Sequence, residues 1–423
     1  MEIDKKTLRY RFLVPLYLAQ VAEGICLTII MFFVPLYVRR TFAGTSLLTI
    51  SSIVAIPAGA MFIASNLWGA LADYTRRLKP FLLIGLAGYA GCLFALSSSN
   101  STFSVVLISA VSSLFFAAHR PISQSYVTLL RESEKGRAIG DLMAFQSVGW
   151  FIGGIACGYL FEPLVGIPVG SILIGGSIFA LVVLVVVALV LGPMQRTLAV
   201  EADPSKKSLF SGLVSDLKWL YGSKALATAC ILTWISASGI WLFFGNFSVF
   251  MTEHIGASTT VLGWAMALST LFGVFAFGPS GRLVDRAGPV RILAASVFLY
   301  ALIYGLASLT TSPVLVSIYF CIPVYPAFNV SVVTLVSEIT GESRRAGGLG
   351  ILGGIFAFSL ATGTLAGGAI ADYSSLGVLP RWTAGMQLAC LAGIFTSVKL
   401  LKALSIDSGR RSLSQNIHLV AGG

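Results

Sequence analysis

Gly281-Arg282-Leu283-Val284-Asp285-Arg286-Ala287-Gly288-Pro289-Val290-Arg291 is a charged, glycine-punctuated stretch set between two apolar runs. Neither Val261 to Phe277 upstream nor Ile292 to Thr311 downstream carries a charged residue. A soluble protein has no reason to separate such runs by so tight and basic a turn. In a membrane the turn sits among headgroups and water while its flanks cross the lipid. The stretch Gly69-Ala70-Leu71-Ala72-Asp73-Tyr74-Thr75-Arg76-Arg77-Leu78-Lys79 echoes it 212 residues earlier.

Composition agrees. Of 423 residues, 56% are hydrophobic and 11% charged, against about 25% charged in soluble domains, and mean hydropathy is +0.89. A helical span needs roughly 20 apolar residues, and the polar interruptions leave room for about twelve such spans. A closed barrel is the other spanning architecture, but runs such as Ile172 to Leu191 are apolar on every face and lack its alternation. The expected fold is therefore an all-α integral membrane protein. Its predicted spans are 10–38, 46–70, 80–98, 102–129, 138–161 and 168–192, then 225–252, 258–281, 290–309, 312–336, 346–371 and 382–403.

The net charge of +11 does not point to nucleic acid, because the basic residues fall in alternate loops as the positive-inside rule requires. Of 28 Lys and Arg, only Arg39, Arg40 and Arg381 fall in segments assigned outside, and Arg120 lies within a span. The other 24 place both termini, the two turns and the central loop in the cytoplasm. Cell-membrane insertion with no nucleic-acid partner follows. The six cysteines lie singly within spans and read as small apolar residues, so neither a disulfide framework, a metal site nor a cofactor is expected. The run from Phe12 to Val38 holds Gln20 and Glu23 and ends in Arg39-Arg40, which reads as a retained first helix rather than a leader.

The two halves repeat. Lys135 to Gly140 aligns with Arg345 to Gly350 at an offset of 210 residues, and the same offset pairs Gly153 with Gly363, Gly158 with Gly368, and Glu162 with Asp372. Val127-Thr128-Leu129-Leu130 echoes Val333-Thr334-Leu335-Val336 at an offset of 206. The expected organisation is a six-helix bundle over 1–192, a central loop over 193–222, a second bundle over 223–404 and a polar tail over 405–423. Leu209 to Tyr221 is amphipathic enough to lie along the membrane surface. Parallel repeats of this kind form one class of transporter.

On these residues the chain resembles the major facilitator superfamily over nearly its whole length. The motif is G-x-L-a-D-r-x-G-r-k between the second and third helix of each half. Gly281, Leu283, Asp285, Arg286, Gly288 and Arg291 match the second copy; Gly69, Leu71, Asp73 and Arg77 match the first, with Tyr74 and Arg76 replacing the usual Arg and Gly. The resemblance implies a twelve-helix fold of two parallel six-helix bundles, working as a monomer by alternating access. It also implies a latch in which Asp73 and Arg77, and in the second copy Asp285, Arg286 and Arg291, hold the cytoplasmic ends together. The glycines, Gly69 and Gly281, would permit close helix approach. A fifth-helix pattern, Gly149 to Gly158, resembles that of the drug/proton antiporter branch but has Gly154 for its proline and Cys157 for a glycine.

Ionisable groups inside a membrane are costly and mark function. Glu23 lies about 18 Å along the first helix from Arg11, and Arg120 about 16 Å before Arg131 in the fourth. By the resemblance both helices line the central cavity, so the two are expected to form a proton-coupling or substrate-binding pair, or else a static pin. Gln20 and Gln124 share their respective faces and extend the polar patch. His119 is expected to point about 100° away from Arg120 and to lie outside the site. In the second half Trp234, Trp241, Asn246, Tyr325 and Asn329 are the candidate cavity residues, suited to an amphipathic or hydrophobic solute. There is no P-loop, nucleophile–base constellation or metal-ligand cluster, so no enzymatic activity is expected. The first functional reading is proton-coupled efflux of an amphipathic solute. Uptake or facilitated passage of a polar or anionic solute bound at Arg120 is the second, and a non-transporting sensor or assembly scaffold the third.

Overall fold

The computed structural model describes residues 5–42, 44–75, 77–131, 135–191 and 223–397. The central loop, with its amphipathic stretch, and the polar tail lie outside them. The described chain is helical throughout. In the first half α1 spans Phe12–Thr41, α2 Leu47–Thr75, α3 Lys79–Ser97, α4 Thr102–Phe116 and His119–Leu130, α5 Lys135–Leu160 and α6 Val169–Val190. In the second α7 spans Lys224–His254, α8 Thr259–Ala287, α9 Pro289–Ala307, α10 Pro313–Thr340, α11 Gly348–Tyr373 and α12 379–397. Eleven of these are long and apolar enough to cross a membrane, and α12 continues to the edge of the described residues.

Serine caps fix several helix starts. Ser101, Ser258 and Ser312 accept from the backbone N–H groups of Ser104, Val261 and Leu315, filling donors that a helix cannot satisfy itself. Between α10 and α11 the backbone stays helical, yet Thr340 packs against Gly348. Eight residues of straight helix would hold these about 12 Å apart, so the chain doubles back there and makes two spans.

The charged stretch from Gly281 to Arg291 is not a loop. α8 stays helical through Gly281, Asp285 and Arg286 to Ala287, and α2 through Asp73 to Thr75. Arg282, Leu283 and Val284 all tolerate helix, so the polar composition alone set the predicted end at 281 too early. The true break is Gly288, at φ 83, a left-handed conformation that glycine adopts without strain. Pro289 starts the next helix, where its missing N–H costs nothing. Gly281 also departs from expectation: the position its Cβ would occupy is open space, so it permits no close helix approach here.

Glycines build the seams between the halves instead. A Cβ on Gly158 of α5 would lie 2.8 Å from the Gly263 Cα of α8, and one on Gly368 of α11 would lie 2.8 Å from the Leu48 Cα of α2. Small residues let helix backbones approach in lipid, where water no longer drives association. The repeat seen in the sequence thus becomes two like seams, α5 on α8 and α11 on α2.

Candidate functional site

A cavity of about 890 Å³ lies between the halves. Its first-half wall carries Glu23, Tyr89, Arg120, Gln124, Gln146 and Trp150. Its second-half wall is aromatic, with Trp241, Phe244, Tyr300, Tyr304, Phe320 and Tyr325 among the lining residues, and Asn329 as the added amide. A polar face opposite an aromatic face suits an amphipathic molecule.

Local breaks position this wall. α4 is interrupted at Ala117-Ala118, just before His119, Arg120 and Pro121. α10 breaks at Ile322 to Val324, before Tyr325 and Pro326. Tyr325 stands 206 residues after His119, the same offset that relates the two α4 and α10 echoes, so equivalent kinks place a basic pair in one half and a tyrosine in the other.

Glu23 and Arg120 both line the cavity but do not pair. Glu23 is 3% exposed and turns toward the bundle. The Tyr89 hydroxyl donates to its Oε1 at 3.3 Å, and His119 Nε2 lies 3.5 Å from its Oε2. Gln20 Nε2 lies 2.9 Å from the same His119 nitrogen. The Glu23–Arg120 pair expected from helix depth is thereby replaced by a Glu23–His119 contact. Equal depth does not set azimuth: the break in α4 turns His119 inward, fully buried, and sends Arg120 to the exposed cavity side. Arg120 makes no ion pair or hydrogen bond with another described residue. Gln20 lies behind the wall; Gln124 lines it. Tyr89, stacked on Phe116 at 4.7 Å, left no mark in the sequence, being one aromatic among many in a span.

Two second-half candidates lie elsewhere. Trp234 donates to Thr362 Oγ1 at 3.2 Å and stacks on Phe358, which is itself exposed, so it packs α7 onto α11 rather than lining the cavity. Asn246 is buried at the seam, where its Oδ1 accepts from Ser51 Oγ at 2.7 Å and its Nδ2 donates to the Leu242 carbonyl at 3.1 Å.

One end of the cavity is tied shut. Asp372, at the end of α11, accepts from the backbone N–H of Leu47 at 2.6 Å and of Leu48 at 2.9 Å, capping α2 of the other half. Glu162, beyond α5, accepts from Thr259 Oγ1 at 2.8 Å and from the Thr260 N–H at 3.3 Å, capping α8. Positions that the repeat paired in sequence therefore make equivalent bonds across the two seams. Burial pushes the Glu162 carboxyl up, but the hydrogen bonds from Thr259 and Thr260 outweigh it and hold the group below the ordinary carboxylate range. Arg39 donates to Glu253 at 2.7 Å at the same end, so this pair also bridges the halves.

The opposite end carries the two motif stretches. Arg77, Asp285, Arg286 and Arg291 are exposed there and make no ion pair with another described residue. The Asp73 side chain and the surroundings of Gly69 lie outside what the structure describes. Nearby, Arg131 and Asp141 form an ion pair within the first half. Among the described residues no group of three His, Cys, Asp or Glu is placed to hold a metal.

Known proteins share this architecture. The crystal structure of a variant of the nucleoside transporter NupG superposes with a TM-score of 0.74 at 15% identity, covering 92% of this chain and 99% of that one. A bacterial homologue of the lysosomal transporter Spinster, in an inward-facing and occupied conformation, gives 0.67 at 14% identity over 97% and 98%. In sequence, the chain is 25% identical to a maltose permease of Geobacillus stearothermophilus over 59% of each protein, less than two thirds of the permease's length. It is 22% identical to the multi-drug resistance efflux pump PmrA of Streptococcus pneumoniae over 70% of this chain and 72% of the pump. The model of the MFS_1 like family matches residues 25–379. With two six-helix halves around one central cavity and a family match across most of its length, the chain belongs to the MFS_1 like family of the major facilitator superfamily.

Proposed function

We propose that this protein is a secondary transporter that carries an amphipathic small molecule across a cell membrane by alternating access, coupled to protons through Glu23. The observation that carries the reading is the asymmetry of the cavity: carboxylate caps tie one end across the halves, while Arg77, Asp285, Arg286 and Arg291 at the other are exposed and make no ion pair among the described residues. If the basic loops are cytoplasmic, as their distribution predicts, the motif stretches act as the unlatched cytoplasmic gate of an inward-facing state.

Arg120 favours one kind of solute. A guanidinium with no carboxylate partner among the described residues, facing an aromatic wall across the cavity, is best satisfied by an anionic or carbonyl-rich group. In this reading solute and proton bind together and move in the same direction. Export by proton exchange is the second reading. The broad aromatic wall favours it, because a neutral or cationic lipophilic solute would fill the cavity without Arg120 and compete with the proton. Both are tested by flux in proteoliposomes with and without a pH gradient. Glu23→Gln is expected to abolish the response to the gradient, and Arg120→Ala to abolish uptake of anionic but not neutral solutes. Wild-type pH-driven flux in both variants refutes the coupling.

A further inference from the structure

We propose that the coupling proton is held not by Glu23 alone but by a buried Glu23–His119 pair, with Gln20 and Tyr89 as the groups that orient it. The proposal rests on the transport reading above for its role, though not for its chemistry.

The cluster brings together α1, α3 and α4 at the cavity wall, which Glu23 and Tyr89 line and behind which Gln20 and His119 lie. Gln20, Glu23 and His119 are 4%, 3% and 0% exposed, and Tyr89 is likewise buried. His119 Nε2 sits between two groups, 2.9 Å from Gln20 Nε2 and 3.5 Å from Glu23 Oε2. Glu23 Oε2 has no hydrogen-bond partner among the described residues, and the His119 ring also approaches the Leu82 backbone. A neutral imidazole nitrogen that accepts from the Gln20 amide carries no proton of its own. It then presents a lone pair toward a carboxylate oxygen that also lacks a proton. The ring nitrogen is satisfied by Gln20, but it offers no proton to Glu23 Oε2, and that buried acceptor is left without a donor at a cost of about 1–3 kcal/mol.

One proton removes the conflict. On Glu23 Oε2, it lets the carboxylic acid donate to His119 Nε2. On Nε2, it lets the imidazole donate to the carboxylate, and the Gln20 amide then turns its oxygen to the ring, an exchange its shape allows. The Tyr89 hydroxyl donates to Glu23 Oε1 in either case. Transfer between the two sites breaks one O–H bond and forms one N–H bond with no other reactant. A pair this close titrates as a unit rather than as two independent groups.

The surroundings supply few competitors. Among the described residues, the titratable groups that interact with the pair are Tyr89 from α3 and Cys26 from α1, with Arg120 of α4 acting on Tyr89. Of these only Arg120 is charged near neutral pH. It follows His119 directly in the chain, so the proton pair lies immediately behind the guanidinium that faces the solute. Gly85 makes the fit possible: a Cβ there would lie 2.7 Å from the His119 Cβ.

The test is infrared difference spectroscopy of the purified full-length protein across a pH titration, without solute, with imidazole labelled by isotope. The chain has only three histidines, so a His119 variant assigns the imidazole band. In wild type the carboxylic-acid and imidazole bands are expected to change together. His119→Gln should remove the imidazole change and move the carboxyl midpoint by about one pH unit, a tenfold change in proton affinity. Gly85→Ala displaces His119 while leaving every titratable group in place, and should move the midpoint in the same direction should His119→Gln fail to fold. A carboxyl midpoint unchanged in both variants, or an imidazole band that titrates separately, overturns the pair. Expected titration combined with pH-independent flux in wild type upholds the pair and refutes the transport coupling.

Discussion

Removing the two carboxylate caps should open the end of the cavity that they tie. Asp372 accepts two backbone N–H bonds from α2, and Glu162 accepts a hydroxyl and a backbone bond from α8. A hydrogen bond to a charged group contributes about 1.5–3 kcal/mol, and a carboxylate at a helix N-terminus about 0.3–1 kcal/mol more. Both sites are partly solvated, so the lower end applies, and each truncation to Ala should cost the closed state about 1.5–2 kcal/mol. The sites sit on separate seams and share no partner, so their effects should add to about 3–4 kcal/mol. That shifts the closed-to-open ratio by two to three powers of ten, at about 1.4 kcal/mol per tenfold. Spin labels introduced by Asn100→Cys and Thr311→Cys, in a background without the native cysteines, report the separation of the two halves at this end. The double variant Glu162→Ala/Asp372→Ala is expected to populate a longer distance, and each single variant a mixture. A distance distribution unchanged in the double variant refutes the claim that these caps hold the end shut.

Acidification should act through the same bonds. The Glu162 carboxyl is held below its ordinary value in the closed form, so its contribution is full above the ordinary carboxylate range and is lost as pH falls through the lowered one. The label distance should stay constant from neutral pH down to about 5 and lengthen below about 4, a change that Glu162→Gln abolishes. The Arg39–Glu253 bridge has side chains 29% and 34% exposed, and such pairs contribute about 0.2–1 kcal/mol. Glu253→Gln should therefore move the same distance distribution only slightly, and less at high salt. Gly158→Leu places a side chain against the Gly263 backbone; overpacking costs about 1–3 kcal/mol and should separate α5 from α8, read as a lower melting temperature in detergent. Trp241→Ala, which removes an aromatic face from the cavity and its contact with Phe244 at 5.0 Å, should weaken binding of aromatic-bearing solutes, measured by ligand-induced thermal shift.

Much of the fold was legible because lipid imposes a simple rule. Every span must be a closed hydrogen-bonded helix of nearly fixed length, so apolar runs located the twelve helices and their polar joints to within a few residues. The repeat was legible because duplicated halves preserve spacing: Glu162 and Asp372 stand 210 residues apart, the offset that relates the two halves. The site was less so. Glu23 and Arg120 stood out as charges in apolar runs, but the helix break that separates their directions rests on Ala117-Ala118 ahead of Pro121, a pattern weak beside the continuous apolar signal around it. Trp234 and Asn246 looked like Trp241 and Asn329; only the rotation of α7 about its axis sends the first pair to packing positions.

The sequence alone determined membrane insertion, helix number, the parallel repeat and the family, since these depend on periodicity, charge placement and motif spacing, which are properties of the chain read in order. Tertiary structure decided which side chains meet. It replaced the expected Glu23–Arg120 pair with Glu23–His119, turned Arg120 to the cavity, tied one end through Glu162 and Asp372 and left Arg77, Asp285, Arg286 and Arg291 at the other without an ion pair among the described residues. Those outcomes depend on helix azimuth and on distances of a few ångströms between residues up to 325 positions apart. Such distances are set by packing across seams, and no local pattern encodes them.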